Sequence, residues 1–209
     1  MSKPLIISDC DEVLLYMVAH FKEWLEEGEE VTFNLQGSDF ANSMRWAKTG
    51  EVVEQAQMWG FLVRFFDNEM DRQTPIEGAV DGINRLGEEA DVVILTNLVD
   101  ERRDKRAEQL KAIGIDAPVF TNQGPKGPAL AKILDEYQPS KAFFIDDLPQ
   151  HHQSARETVP GLGQLHLCGE PSIAPHINCA HKAGHADARI DNWAEALPWL
   201  LGEIEKEQA

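Results

Sequence analysis

A three-layer, Rossmann-like α/β core with a parallel sheet and an inserted α-helical cap is the architecture that this 209-residue sequence predicts. Two observations predict the core. Short apolar runs alternate with stretches of helical periodicity, which is the pattern of right-handed βαβ units. The runs are also continuous rather than alternating, as strands covered on both faces are. A third observation predicts the insertion: from Leu14 to Met70 there is little strand signal, and two amphipathic stripes stand in its place.

Taken in order, the strand candidates are Leu5 to Ser8, Val92 to Thr96, Ala117 to Phe120, Ala142 to Ile145 and Leu162 to Leu167. Between them, Ile76 to Glu89 sets Val80, Ile83 and Leu86 on one helical face. Glu101 to Ile113 turns Leu110 and Ile113 inward, with Gly114 where a C-cap glycine belongs. Pro128 to Tyr137 buries Leu130, Ile133 and Leu134. Trp193, Leu197, Leu200, Leu201 and Ile204 form a closing amphipathic helix. In the insertion, Leu14, Val18, Phe21 and Leu25 make one stripe. Val52, Ala56, Trp59, Val63, Phe66 and Met70 make the second, in steps of three and four. The chain then divides into a core of residues 1–14 and 76–209 and a cap of residues 15–75. A helix pair lying directly on the sheet is the alternative.

Composition narrows the function. The formal charge is −17, from 36 acidic against 19 basic residues. Such a surface argues against nucleic acid or an anionic membrane as partner, since both are polyanions. A small anionic substrate would need a local cation. No signal-type apolar segment and no run long enough to span a membrane is visible. Cys10, Cys168 and Cys179 form no CxxC pair, which predicts a reducing, cytoplasmic setting.

Acidic and polar residues collect at the carboxyl ends of the strand candidates. Asp9 and Asp11 follow the first, Thr96-Asn97 ends the second, and Asp146-Asp147 ends Phe143-Phe144-Ile145. Ligands of open parallel sheets bind at that edge. Lys126, between Gly124 and Gly127, sits before a helix and can bring an ammonium to it. Clustered carboxylates repel one another unless a cation neutralises them. Their hard oxygens suit Mg²⁺, which binds through few carboxylates plus substrate phosphate. A carboxylate can attack phosphorus, and a second one two residues on can serve as acid and base.

These residues resemble the four motifs of the haloacid dehalogenase superfamily, in order, from Leu5 to Leu167. Asp9-Cys10-Asp11-Glu12-Val13 is similar to the first, Thr96 with Asn97 behind it to the second, Lys126 to the third and Asp146-Asp147 to the fourth. Pro75-Ile76-Glu77-Gly78-Ala79 resembles the stretch returning from a cap. The resemblance implies that Asp9 is the nucleophile and Asp11 the acid/base. It gives Thr96, Asn97 and Lys126 to substrate phosphate. It gives the Mg²⁺ site to Asp9, Asp146, Asp147 and the backbone carbonyl of Asp11. The implied activity is hydrolysis of a small phosphorylated metabolite through an aspartyl-phosphate. A sugar phosphomutase or a non-catalytic binding module on the same fold are the alternatives. Halide displacement fits less well because Asp11 is present, and phosphonate cleavage less well because Lys22 and Lys48, the cap lysines, lie in polar settings. Glu12 departs from the glycine that many members carry there.

Other chemistry-bearing residues are weighed against plainer readings. His176, Cys179, His181 and His185 suit zinc by type but follow no zinc-finger spacing, so a polar loop is preferred. His151 and His152 either line the site or begin a surface helix. Arg45, Lys48 and Arg64 read as solvated cap residues.

Overall fold

A computed structural model describes residues 2–35, 40 and 42–206. Six parallel strands form the central sheet: β1 (Leu5–Ser8), β4 (Asp91–Thr96), β5 (Val119–Thr121), β6 (Ala142–Asp146), β7 (Gly163–His166) and β8 (Ala188–Arg189), in the order β5-β4-β1-β6-β7-β8. The chain first builds outward from β1 through β4 to β5. It then crosses over to β6 and builds the other way, so β1 and β6 flank the switch point where a ligand crevice opens.

Alternate residues of β1 show how the layers close. Ile6 packs with α3 (Ala79–Glu89), α4 (Arg103–Ala112) and α7 (Trp193–Glu205), through Ile83, Leu86, Leu110, Leu200 and Ile204. Leu5 and Ile7 pack on the opposite face against Leu130 and Ile133 of α5 (Gly127–Tyr137) and Ala155 of α6 (Pro149–Thr158). Both faces are therefore dry, as the unbroken apolar runs require. α3 and α7 approach closely at Gly82, where an added Cβ would come within 2.5 Å of the Trp193 ring. Trp193 itself is buried and donates its indole N–H to the Val13 carbonyl at 2.8 Å. Gly114 takes φ +98°, ending α4 as its position predicts.

Between β1 and α3 the chain forms a cap. Its helices are α1 (Val18–Gly28) and α2 (Gln55–Asn68), but it also holds an antiparallel hairpin of β2 (Val31–Phe33) and β3 (Met44–Trp46), paired from Val31↔Trp46 to Phe33↔Met44. The expectation of little strand structure from Leu14 to Met70 is corrected by this pair. The short strand β8 also lies outside the expected elements. Val18, Phe21 and Leu25 face the cap interior, whereas Leu14 belongs to the main core.

The stripe read on α2 also needs correction. Met58, Phe61 and Phe65 are its buried residues, and Phe65 meets the Phe21 ring edge-on at 5.3 Å. Trp59 and Val63, on the expected stripe, are about half exposed. α2 is apolar on two adjoining faces: of the expected stripe, Phe66 packs on the cap core and Met70 is buried, whereas Val52, Ala56, Trp59 and Val63 are exposed. The cap core takes in Cys168, Ile173 and Ala174 from beyond β7, so cap and core share an apolar seam. Where the chain leaves for the cap and returns, the two strands of linker pair: Tyr16 N–H donates to Thr74 O (3.0 Å) and Ile76 N–H to Leu14 O (2.9 Å). No helix among the described residues is long and apolar enough to cross a membrane.

Candidate active site

The carboxyl ends of β1, β4 and β6 and the start of α5 bring together the residues that the motifs single out. Asp9 follows β1 directly, its N–H still bonded to Ile145 O of β6 at 2.8 Å. The Cys10 N–H donates to Asp9 Oδ1 (2.7 Å), which fixes the carboxylate. Lys126 stands at the entry to α5 with no exposed surface, and its Nζ lies 2.7 Å from Asp9 Oδ1 and 2.7 Å from Asp146 Oδ2. Asp146 Oδ1 accepts the Leu148 N–H at 2.8 Å. Asp147 is buried beside them. Oxygens of Asp9, Asp146 and Asp147 all lie within 4.8 Å of one another.

Three carboxylates and one ammonium would leave a charge of −2 if all were ionised. Burial raises Asp9 to about 7 against the pull of Lys126. Burial and the neighbouring Asp146 and Asp9 push Asp147 well above the usual carboxylate range. Burial also opposes ionisation of Asp146, yet the Lys126 ammonium beside it holds it below that range. Lys126 is raised despite burial because Asp146 and Asp9 face it. Such a trio is costly on its own, and a divalent cation would restore neutrality. The donors are hard oxygens, so the residues fit Mg²⁺.

Two further polar residues stand at the end of β4, the strand beside β1. Thr96, at the end of β4, is fully buried and its hydroxyl has no hydrogen-bond partner among the described residues. A buried orphan hydroxyl is costly without a ligand to bond it. Asn97 is exposed. It donates to Gly124 O (3.0 Å) and accepts from Asn122 Nδ2 (2.8 Å), tying the loop before Lys126 to the end of β4. Above this floor opens a cavity of about 650 Å³ that reaches the cap, with Asp9, Asp11, Asn97 and Asp147 at its base.

Neither a protein-family model nor a curated protein sequence matches the chain. Solved structures do. A haloacid dehalogenase-like family hydrolase from Streptococcus pneumoniae superposes with TM-score 0.66 at 13% identity, over 94% of this chain and 97% of that one. A HAD family hydrolase from Deinococcus radiodurans R1, with phosphate and sodium bound, gives 0.66 at 18% identity, over 96% of each chain. A haloacid dehalogenase-like protein from Agrobacterium tumefaciens C58 gives 0.66 at 16% identity, over 96% and 98%. The chain has the haloacid dehalogenase-like hydrolase fold.

Within this haloacid dehalogenase-like frame, Asp11 stands apart from the acidic trio. Its carboxylate accepts from Arg106 Nη2 (3.1 and 3.3 Å) and from Gln73 Nε2 (2.7 Å). Only its backbone carbonyl was expected at the metal, and the side chain is not among the clustered ligands. Arg106 is fully buried on α4, and its Nη1 also reaches Cys10 Sγ at 3.3 Å. Burial works against the guanidinium charge, and the Asp11 carboxylate facing it more than offsets that, holding Arg106 cationic. The motifs pointed to neither Arg106 nor Gln73. Arg106 is embedded in the charged run Glu101-Arg102-Arg103-Asp104-Lys105, which reads as solvated, and nothing in sequence pairs it with a residue 95 positions away.

Glu12, which departs from the frequent glycine, adopts φ +60°, the left-handed region that glycine enters freely. Its side chain is buried. Oε1 accepts the N–H groups of Met17 (2.9 Å) and Val18 (2.6 Å), the entry to α1, so the carboxyl satisfies donors that the helix start leaves open. Burial raises this carboxyl to about 8.

Two histidines support the fourth motif from behind. His151 lines the cavity. His152 is buried, its Nε2 2.9 Å from Asp146 O, so Nδ1 must accept, and the Gln164 amide presents its nitrogen there at 2.9 Å. His166 Nε2 donates to Asp147 O (2.8 Å) while Nδ1 accepts the Ala180 N–H (2.9 Å). Burial, with His152 and Arg189 nearby, lowers His166 to about 4. The unfolded chain therefore takes up a proton below pH 6.5 that the folded chain refuses until about 4. Stability is lost as pH falls through that window, by roughly 3 kcal/mol in full. Urea midpoints should drop more between pH 7 and 4.5 in the native protein than in His166→Gln, and equal drops would remove His166 from the account. His176, Cys179, His181 and His185 do not cluster as ligands among the described residues. His181 Nδ1 bonds Ala186 O (3.0 Å) within a turn, as a polar loop would have it.

Proposed function

We propose that this chain is a Mg²⁺-dependent phosphatase that hydrolyses a small phosphate monoester through a phosphorylated Asp9. The observation that carries the reading is the pairing of Asp9, at the floor of a cavity, with a buried Lys126, with the orphan hydroxyl of Thr96 at the end of the neighbouring strand. Lys126 and Thr96 supply donors for phosphoryl oxygens, and Asp9 supplies the nucleophile. Its carboxylate attacks phosphorus, the P–O bond to the alcohol breaks, and Asp11 gives that oxygen its proton. Asp11 then takes a proton from the water that cleaves the acyl phosphate. Mg²⁺, held by Asp9, Asp146, Asp147 and the Asp11 carbonyl, would neutralise charge on the phosphoryl oxygens. The cap overhangs this edge, which suits a small substrate and disfavours a phosphorylated protein. A cytoplasmic location accords with three unpaired cysteines. Turnover of small phosphate esters should appear with Mg²⁺, vanish with chelator and return on adding the ion. Full activity in excess chelator would reject the metal's role, and no turnover of any ester would reject the phosphatase.

A further inference from the structure

The cavity over Asp9 is built from two unlike halves. Its floor is polar: Asp9, Asp11 and Asp147 are acidic, and Asn97 and His151 are neutral, the latter because burial lowers it. Its walls are apolar. From α2 come Trp59, Leu62 and Phe66, at steps of three and four on the helix face next to that of Met58, Phe61 and Phe65. Facing them are Leu148 and Pro149 after β6, and Ile173 and Ile177 beyond β7. Trp59 is 56% exposed, although a tryptophan of the cap has an apolar interior available to it. Single exposed apolar residues are ordinary, but three on one face over a catalytic floor make a wall.

No lysine or arginine lines this cavity among the described residues. Lys126 lies at the floor between Asp9 and Asp146, where it serves the reacting phosphoryl group and not the far end of a substrate. Of the cap's lysines and arginines, Lys48 pairs with Glu30, Arg64 with Glu29, and Arg72 with Glu27 and Glu69, and Lys22 and Arg45 do not line the cavity. Residues 36–39 and 41, outside the described residues, are Gln, Gly, Ser, Asp and Ala, which include no base. A second phosphate or a carboxylate on the substrate would lie against apolar walls without a counter-charge, above acidic groups, on a chain of net charge −17.

We propose that the esters taken by this site carry an uncharged, apolar alcohol portion, alkyl or aromatic, seated between the Trp59–Leu62–Phe66 face of the cap and the Leu148–Pro149 and Ile173–Ile177 walls. The proposal rests on the phosphatase reading and specifies its substrate. It also disfavours a sugar phosphomutase, whose substrate must place a second phosphate somewhere in the site. Trp59, Leu62 and Phe66 set the specificity.

The test is a series of straight-chain alkyl phosphates from methyl to octyl, beside chains of equal length ending in a carboxylate or a second phosphate. Every member has an alkoxide leaving group, so chemistry is held nearly constant. Burying each methylene should raise kcat/KM about threefold to fourfold until the cavity is filled. The charged-ended esters should fall at least tenfold below their methyl-ended counterparts. Trp59→Ala should flatten the chain-length slope, and Leu62→Lys should raise the carboxylate-ended ester relative to the apolar one. A flat slope, or equal or better turnover of the doubly charged esters, overturns the proposal. Binding of the matching alkylphosphonates, measured calorimetrically with Mg²⁺ present, separates the two readings. If no ester turns over but phosphonate affinity grows with chain length, the phosphatase falls and the ligand class stands. Chain-independent affinity overturns the class.

Discussion

Asp9→Asn is expected to eliminate turnover, with a loss on the order of 10⁶-fold, the scale seen when an enzyme's nucleophile is deleted. An amide oxygen is a very poor nucleophile toward phosphorus, and no other carboxyl in the site has the same position. Asp146 is committed to Lys126 and the Leu148 N–H, and Asp11 to Arg106 and Gln73. The substitution is nearly isosteric, so the fold should survive. Indeed, it removes one of three mutually repelling carboxylates. In metal-free buffer the thermal midpoint of Asp9→Asn should equal or exceed that of the native protein. The midpoint rise on adding Mg²⁺ should shrink. Native rates in freshly purified Asp9→Asn would place the nucleophile elsewhere, and a collapse of the metal-free midpoint would give Asp9 a structural role.

Asp11→Asn should divide substrates by leaving group. An alkoxide needs a proton as it departs, whereas a nitrophenolate leaves without one. General acid catalysis contributes typically ~10²–10⁴-fold, so alkyl phosphate hydrolysis should fall by about that factor. Phosphorylation of Asp9 by p-nitrophenyl phosphate should fall far less. The later hydrolysis of the acyl phosphate should also slow, so the phosphorylated protein should become visible by mass spectrometry. Arg106 and Gln73 grip the same carboxylate from α4 and from the cap linker, so each positions Asp11. Gln73→Leu should reproduce the leaving-group split in weaker form without unfolding the core. Equal losses on both substrates in single turnover would show that Asp11 serves structure instead.

The sheet and the placement of the site were legible because burial on both faces leaves a coarse mark. Ile6-Ile7, Val93-Ile94-Leu95 and Phe143-Phe144-Ile145 are apolar without interruption, and polar residues crowd where the strands stop. The hairpin of the cap left no such mark. Val31-Thr32-Phe33 and Met44-Arg45-Trp46 are three residues each, too short for alternation to separate from chance. α2 misled for the opposite reason. With Met58, Phe61 and Phe65 on one face and Trp59, Leu62 and Phe66 on another, its apolar residues serve two surfaces, and periodicity reports only that both are apolar. Arg106 escaped because burial of a charge is decided by a partner distant in the chain, which no local pattern records.

The paired linkers at Leu14–Tyr16 and Thr74–Ile76 have a consequence for the history and engineering of the chain. Because the two crossing points are hydrogen-bonded neighbours, whatever lies between them begins and ends at one spot, and the sheet never has to stretch to accommodate it. Inserts of different length should therefore be accommodated there without disturbing the sheet. What limits the exchange is the far side of the seam: Cys168, Ile173 and Ala174 would be stripped of cover, so a transplanted cap must carry an oily underside of its own to be accepted.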